Sequence, residues 1–140
     1  PIKGPLLICP PIPEVLEAFA GLGDIVVLED ETKIRIISCA SAIMSTYYEM
    51  QNSLVDWAVE RGMDRANAAR YMQSMLEGLA VAARRVDEAD LLALPAAHET
   101  KGGLNERVRA ALMADDWFGQ LRRQLDDIYD NAVLRTPGVQ

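Results

Sequence analysis

The chain has 140 residues, of which 50% are hydrophobic and 25% charged, a balance typical of a globular domain that buries a core. Its formal net charge of −7 argues against a nucleic-acid surface, because phosphate binding needs clustered lysines and arginines. No apolar run approaches the roughly 20 residues that span a bilayer, and no signal-peptide pattern opens the chain. We therefore expect a cytoplasmic protein with no nucleic-acid or membrane partner. Cys9 and Cys39 lack the spacing of a metal site, so no metal is predicted.

Two short apolar runs near the start predict buried strands with a helix between them. Leu6–Cys9 lies between prolines, and Ile25–Leu28 is rich in β-branched residues. Pro13 suits the first turn of the intervening helix, which the following Gly-Leu-Gly ends. Two strands alone do not make a stable sheet. Because the chain also begins with proline instead of methionine, we expect this βαβ unit to be the end of a larger parallel sheet.

From residue 31 onward the pattern is helical. Residues 34–41 predict a short helix. A long amphipathic helix follows, whose apolar residues recur every three or four positions: Ile43, Tyr47, Met50, Leu54 and Trp57. Gly62 ends that helix, and Asp64 is a suitable N-cap for the next one.

The helix after Asp64 carries apolar residues on two faces. One stripe comprises Ala68, Met72, Met75, Leu79, Ala82 and Val86. The other comprises Ala69, Leu76 and Ala83. Such a helix is satisfied by packing on both sides, so we expect a homodimer in which the long helices of two protomers pack together.

The last third of the chain predicts three more helices. A short one covers residues 87–94 before Pro95, and a Gly-Gly turn opens the next. Asp115 or Asp116 caps the final helix. Its apolar face comprises Trp117, Leu121, Leu125, Ile128 and Val133. We expect Thr136-Pro137-Gly138 to end the ordered chain.

This order of parts resembles a known enzyme family. The βαβ segment leads into the small residues Ser38-Cys39-Ala40-Ser41-Ala42, then into a long helix, an Ala-rich helix and the turn Thr100-Lys101-Gly102-Gly103-Leu104-Asn105. Essentially the whole chain is similar to the helical dimerisation domain of pyrroline-5-carboxylate reductases, preceded by the last strands of their Rossmann domain. The resemblance implies a mainly α fold with a βαβ remnant. Residues 1–30 would then be the end of the dinucleotide-binding domain, and residues 31–140 the dimerisation and substrate domain.

The resemblance also implies which residues contact the substrate. Of the family's Ser-Gly-Ser-Gly-Pro-Ala-Tyr segment, this chain keeps Ser38 and the smallness of the rest. The family's Ser-Pro-Gly-Gly-Thr-Thr motif stands here with Thr100 at the substrate-carboxylate contact, and with Asn105 replacing the threonine that hydrogen-bonds the cyclic imine or amine. The expected substrate-binding residues are Thr100, Lys101, Gly102, Gly103, Ser38 and Ser41, and the expected catalytic residue is Asn105.

Elementary chemistry favours the same turn. A helix N-terminus offers free N–H groups and a partial positive charge to a carboxylate, and glycine lets the backbone approach a ligand closely. Lys101 adds a charge of the right sign. The alternative interpretation is an ordinary Gly-rich turn between two helices. His98, the single histidine, supports no Ser/His/Asp triad and is a candidate for the wall of the pocket.

The implied reaction is hydride transfer from NADPH or NADH to a cyclic imine, or to a related C=N or C=O compound that carries a carboxylate. The chain has no Gly-rich phosphate-binding loop, so we expect a preceding half to hold the cofactor and this chain alone to be inactive. Two alternatives remain. The C-terminal domain of a β-hydroxyacid dehydrogenase would need a Lys-x-x-x-Asn pair, whereas Lys33 is followed four residues later by Ile37. A non-enzymatic helical dimerisation module would not need the strands before residue 30.

Overall fold

The structure is a computed structural model that describes residues 4–131. Within this range the chain is mainly helical, as predicted, with seven helices and two short strands. The strands are β1 (Leu6–Ile8) and β2 (Ile25–Val27). The helices are α1 (Pro13–Phe19), α2 (Thr32–Ala40), α3 (Ile43–Glu60), α4 (Arg65–Ala83), α5 (Glu88–Ala97), α6 (Leu104–Ala114) and α7 (Trp117–Asn131). Two sequence predictions, Val133 on the last helix and the chain end at Thr136-Pro137-Gly138, lie outside the described residues.

Residues 4–30 contain the predicted βαβ unit. β1 and β2 are parallel and hydrogen-bonded, with Leu6 opposite Ile25 and Ile8 opposite Val27. Pro13 opens α1 in its first turn, where the missing N–H of proline removes no helical bond. Ile8 is buried, but Val27 remains 46% exposed. The side chains of β1 are therefore better covered than those of β2.

The described residues divide into two compact units, and the first combines those up to Ala42 with those from Arg123 to Asn131. In it, the Asp30 carboxylate accepts a hydrogen bond from the Thr32 N–H (2.9 Å), which lowers the pKa of Asp30 and supports the start of α2. The Arg35 guanidinium lies 4.8 Å from the centroid of the Tyr129 ring and also donates to the Tyr129 carbonyl. These contacts join α2 to the C-terminal part of α7.

The second unit, Ile43–Arg122, is organised around the packing of α3 against α4. Gly62 turns the chain with a φ of +95°, and the Asp64 side chain caps α4 by accepting from the Asn67 N–H at 3.0 Å, both as predicted. The core comprises Val55, Ala58 and Ala68, which are 5%, 2% and 0% exposed. Small side chains at these positions let the two helices approach closely.

The buried side of α3 differs from the predicted one. The predicted stripe includes Tyr47 and Trp57, which are 40% and 56% exposed, whereas Val55 and Ala58 are buried. The sequence pattern favours large apolar residues as the inner face, but the close contact with Ala68 accepts only small ones. The Trp57 ring is instead covered by the Arg61 guanidinium, 4.2 Å from the ring centroid.

α5 continues past the proline that was predicted to end it. Pro95 lies inside the helix, which ends at Ala97. Proline removes the one hydrogen bond to the carbonyl four residues earlier, and the His98 N–H still bonds to the Leu94 carbonyl (3.1 Å), so a last turn persists. α6 follows the Gly-Gly turn as predicted. Among the described helices, none is both long and apolar enough to cross a membrane.

Candidate functional site

The predicted ligand turn lies between the end of α5 and the start of α6, and two glycines are required for its shape. The Thr100 carbonyl accepts a hydrogen bond from the Gly103 N–H at 2.7 Å. Gly102 has a φ of +74°, a conformation that other residues adopt only with strain. A Cβ atom on Gly103 would lie 2.7 Å from the Thr100 oxygen, so the chain approaches itself too closely there for a side chain. Both glycines therefore have a structural reason within the turn itself.

Asn105, the predicted catalytic residue, also braces the turn. Its Nδ2 donates to the carbonyl of His98, the C-cap of α5, at 2.8 Å. Terminal carbonyls of a helix have no partner within the helix, so this bond satisfies one of them. Asn105 is itself exposed, and its Oδ1 is the polar atom that remains to accept a hydrogen bond from a ligand.

A two-point ion pair between Glu99 and Arg109 also links the two ends of the turn. The Arg109 Nη2 donates to Glu99 Oε2 at 2.6 Å, and the Arg109 Nε donates to Oε1. The hydrogen bond from Arg109 holds the pKa of Glu99 below its usual value, against the opposing effect of desolvation, and the same bond raises the pKa of Arg109. This pair could not be predicted from the sequence, because two residues ten positions apart meet only once the turn has reversed the chain.

The Glu106 carboxylate is hydrogen-bonded to one of the backbone groups that were predicted to bind a ligand. It accepts a hydrogen bond from the Gly102 N–H. Gly103 is the N-cap of α6, so Glu106 is the third residue of the helix, a position from which a carboxylate commonly reaches back to the N-terminus. Thr100 and Lys101 are exposed at the tip of the turn. The turn thus presents a hydroxyl and an ammonium group to solvent, while one of its amides is engaged internally.

The second group of predicted residues, Ser38 and Ser41, belongs to the other compact unit. Both serines are exposed, Ser38 in the last turn of α2 and Ser41 as its C-cap. The Ser41 hydroxyl donates to the Ile37 carbonyl at 2.9 Å, a bond that closes the helix end.

His98 lines an apolar groove within the second unit. The groove has a volume of about 340 Å3 and is lined by Leu79, Ala82, Leu91, Leu94, Pro95 and His98. The His98 Nδ1 lies 2.9 Å from the Leu94 carbonyl. The described residues contain no group of three or more side chains suited to a metal ion.

Sequence comparisons identify no relative, and structural comparison identifies the fold. No family model matches the chain, and no curated protein matches its sequence. The structure is similar to that of the pyrroline carboxylate reductase of Plasmodium falciparum with NADP bound, with a TM-score of 0.71 and 17% identity over 91% of this chain. The match covers 51% of that reductase, so this chain spans about half of its length. At this identity the likeness establishes a shared fold alone, which is mainly helical with a βαβ unit.

Proposed function

We propose that the chain is the substrate-binding and dimerising part of an NAD(P)H-dependent reductase acting on a cyclic imine, or a related C=N or C=O compound, that carries a carboxylate. The observation that carries this proposal is the fold, which is shared over 91% of the chain with a pyrroline carboxylate reductase. No Gly-rich phosphate-binding loop lies in these 140 residues. The nicotinamide cofactor would accordingly be held by a segment outside the chain, and the chain alone would not catalyse the reaction.

The turn between α5 and α6 supplies the carboxylate contact in this proposal. The Lys101 ammonium and the Thr100 hydroxyl are exposed, and the backbone at Gly102 and Gly103 has no side chain to keep a ligand away. An anion at this place also lies at the positive end of α6. Ser38 and Ser41 are proposed as a second group of ligand contacts.

Asn105 would orient the reacting nitrogen. Because its Nδ2 bonds to His98, its Oδ1 is available to accept a hydrogen bond from the N–H of a protonated imine. Protonation makes the C=N carbon more electrophilic. The reduced nicotinamide, held outside this chain, would supply the hydride for that carbon, and Asn105 would hold the nitrogen as it becomes the amine.

The helical region would form a homodimer. Large apolar side chains remain uncovered along α4, including Tyr71 (63% exposed) and Leu79 (46%). Large apolar side chains exposed along a helix are a common feature of interfaces. The long helices of two protomers packed together would cover it.

An activity measurement on the complete gene product that carries these residues tests the proposal. NADPH oxidation should depend on a pyrroline carboxylate, and Asn105→Ala should lower kcat/KM by about ten- to a hundredfold, the effect of losing one or two hydrogen bonds to a bound group. Asn52→Ala, at an exposed position of α3, is the matched control and should leave kcat/KM unchanged. A dimer that oxidises no NADPH with any cyclic imine would instead favour the non-enzymatic dimerisation module.

A further inference from the structure

One contact at the turn bears on how the proposed site is regulated. The Gly102 N–H, one of the groups proposed to meet a ligand carboxylate, already donates to a carboxylate, that of Glu106. The Gly103 N–H is engaged by the Thr100 carbonyl at 2.7 Å. The Glu106 carboxylate therefore lies where the carboxylate of a bound ligand is proposed to lie.

Glu106 offsets much of the positive charge around the turn. Lys101, Arg107 and Arg109 contribute three positive charges, and Glu99 and Glu106 contribute two negative ones. Arg109 is committed to Glu99 through two hydrogen bonds, and the charge of Glu106 adds to the rise in its pKa. An incoming anion thus meets Lys101 and a carboxylate together, so the attraction of the turn for anions is reduced.

Glu106 is able to leave this position. Its side chain is only partly buried, whereas Glu99 is fixed at two points by Arg109. A glutamate side chain has three rotatable bonds, and a released carboxylate is solvated at once by water. The backbone of the turn does not need Glu106 for its shape, because the bonds made by Gly103, Asn105 and Glu99 remain.

We infer that Glu106 is an internal competitor for the carboxylate site: it holds the Gly102 N–H when the site is empty, and a ligand carboxylate displaces it. This inference rests on the proposed function of the turn. A ligand carboxylate that displaces Glu106 replaces one carboxylate by another at the Gly102 N–H, so this contact adds little net binding energy. The rest of the ligand, such as its ring, must therefore provide most of the affinity. The apparent association constant for a carboxylate equals the intrinsic one multiplied by the fraction of molecules in which Glu106 has released the Gly102 N–H.

The test is a titration of the 140-residue chain with L-proline, the amine that results when the C=N bond of a pyrroline carboxylate is reduced. Backbone-amide NMR follows Gly102 in the wild type and in the Glu106→Gln and Glu106→Ala variants. Removing the competing charge should tighten binding of L-proline about three- to tenfold, with alanine at the upper end because glutamine retains a neutral acceptor. The Gly102 amide should also exchange faster with solvent in Glu106→Ala without ligand.

Glu88→Gln is the matched control, because Glu88 is likewise an exposed carboxylate in the first turn of a helix, α5. It should change the dissociation constant less than about twofold, the range expected for a screened surface charge. Far-UV circular dichroism verifies that each variant is folded.

The two proposals fail in different ways. If L-proline binds at Gly102 with equal strength in the wild type and both Glu106 variants, Glu106 is a simple helix cap and the inference is wrong, while the carboxylate site stands. The inference is also wrong if amide exchange at Gly102 is unchanged in Glu106→Ala. If L-proline leaves the Gly102 amide unmoved in all variants, the turn binds no carboxylate, and the proposed site falls together with the role of Glu106.

Discussion

Two regions of the second compact unit are held together by opposite means. The α3–α4 pair is joined by small apolar side chains, with Ala68 fully buried against Val55 and Ala58. The turn between α5 and α6 has no buried residue, and its shape depends on hydrogen bonds made by Gly103 and Asn105 and on the ion pair of Glu99 with Arg109. Close packing of this kind tolerates little change in volume. Polar contacts at an exposed turn are individually weak and can be exchanged for contacts with a ligand.

This difference separates stability from recognition. A ligand cannot use the groups in the α3–α4 contact, because they are closed to solvent. It can use the groups of the turn, because Thr100, Lys101 and Asn105 are exposed. We therefore expect substitutions in the first region to change the free energy of unfolding, and substitutions in the second to change mainly what is bound and at which pH the turn is stable.

The largest effect is expected at Ala68. Ala68→Asp places a charge where the side chain is 0% exposed, and an unpaired buried charge costs about 3–5 kcal/mol. Ala66→Asp, two residues away on the exposed side of α4, should change the free energy of unfolding by less than about 0.5 kcal/mol. Urea denaturation followed by circular dichroism measures both. Equal stability of the two variants would mean that α3 and α4 do not pack as described.

Leu79→Asp should break the proposed dimer without unfolding the protomer. Leu79 is 46% exposed within one protomer, so the charge remains solvated there. In an interface it would be buried without a partner and should weaken association about a hundredfold or more. Light scattering coupled to gel filtration measures the assembly, with Ser74→Asp as the control for an added charge on α4. A wild-type protein that is monomeric at micromolar concentration contradicts the dimer.

Asn105→Ala should lower the free energy of unfolding by about 1 kcal/mol, the usual contribution of one hydrogen bond. The bond lost is that from Nδ2 to the His98 carbonyl, 2.8 Å long. Asn52→Ala, on the exposed side of α3, should change stability less than about 0.5 kcal/mol. Thermal or urea unfolding of both variants gives the comparison. If they match, Asn105 does not brace the turn.

The smallest effect is a pH dependence that comes from Glu99. Its pKa is lowered in the folded chain, chiefly by the hydrogen bond from Arg109. As the pH falls, the unfolded chain therefore takes up a proton at Glu99 at a higher pH than the folded chain does. The stabilisation is therefore complete above the usual glutamate pKa of about 4.3, and it is lost as the pH falls through the lower, folded value. Glu99→Gln should flatten the dependence of stability on pH in that acidic window.

Arg109→Gln removes the same pair from its other side and should flatten the curve as well. The two substitutions combined should have less effect than the sum of the single ones, because they break one interaction. Slopes that are unchanged in both single variants would show that the pair does not form in solution.

The order of elements could be predicted from sequence, because it depends on local signals. Pro13, Gly62 and Asp64 mark helix ends through their own backbone or side-chain preferences, and the structure has them in those roles. The inner face of α3 could not be predicted, since it depends on which residues Ala68 meets across the contact. The end of α5 was also predicted wrongly. Pro95 was expected to end the helix, but the hydrogen bond from the His98 N–H to the Leu94 carbonyl maintains one more turn.

The site was predictable to the extent that it lies in one short segment. Thr100 to Asn105 form a single turn at a helix start, as the sequence indicates. The hydrogen-bond partner of each polar side chain could not be predicted from the sequence. The partners of Asn105, Glu106 and Arg109 are seven, four and ten residues away, and two are backbone groups whose position follows from the path of the turn.

The contact of Arg61 with Trp57 provides an optical label for the α3–α4 pair. The guanidinium covers the indole at 4.2 Å, and the Arg61 Nη1 also donates to the Trp57 carbonyl at 3.2 Å, just before Gly62 reverses the chain. The chain has two tryptophans, and the other, Trp117, stands against the edge of Phe118 at the start of α7. A cation held over one indole and a phenyl ring held beside the other give the two chromophores different surroundings. In a protein with Trp117 replaced by phenylalanine, emission therefore reports the opening of the α3–α4 connection alone, separately from melting of the rest of the molecule.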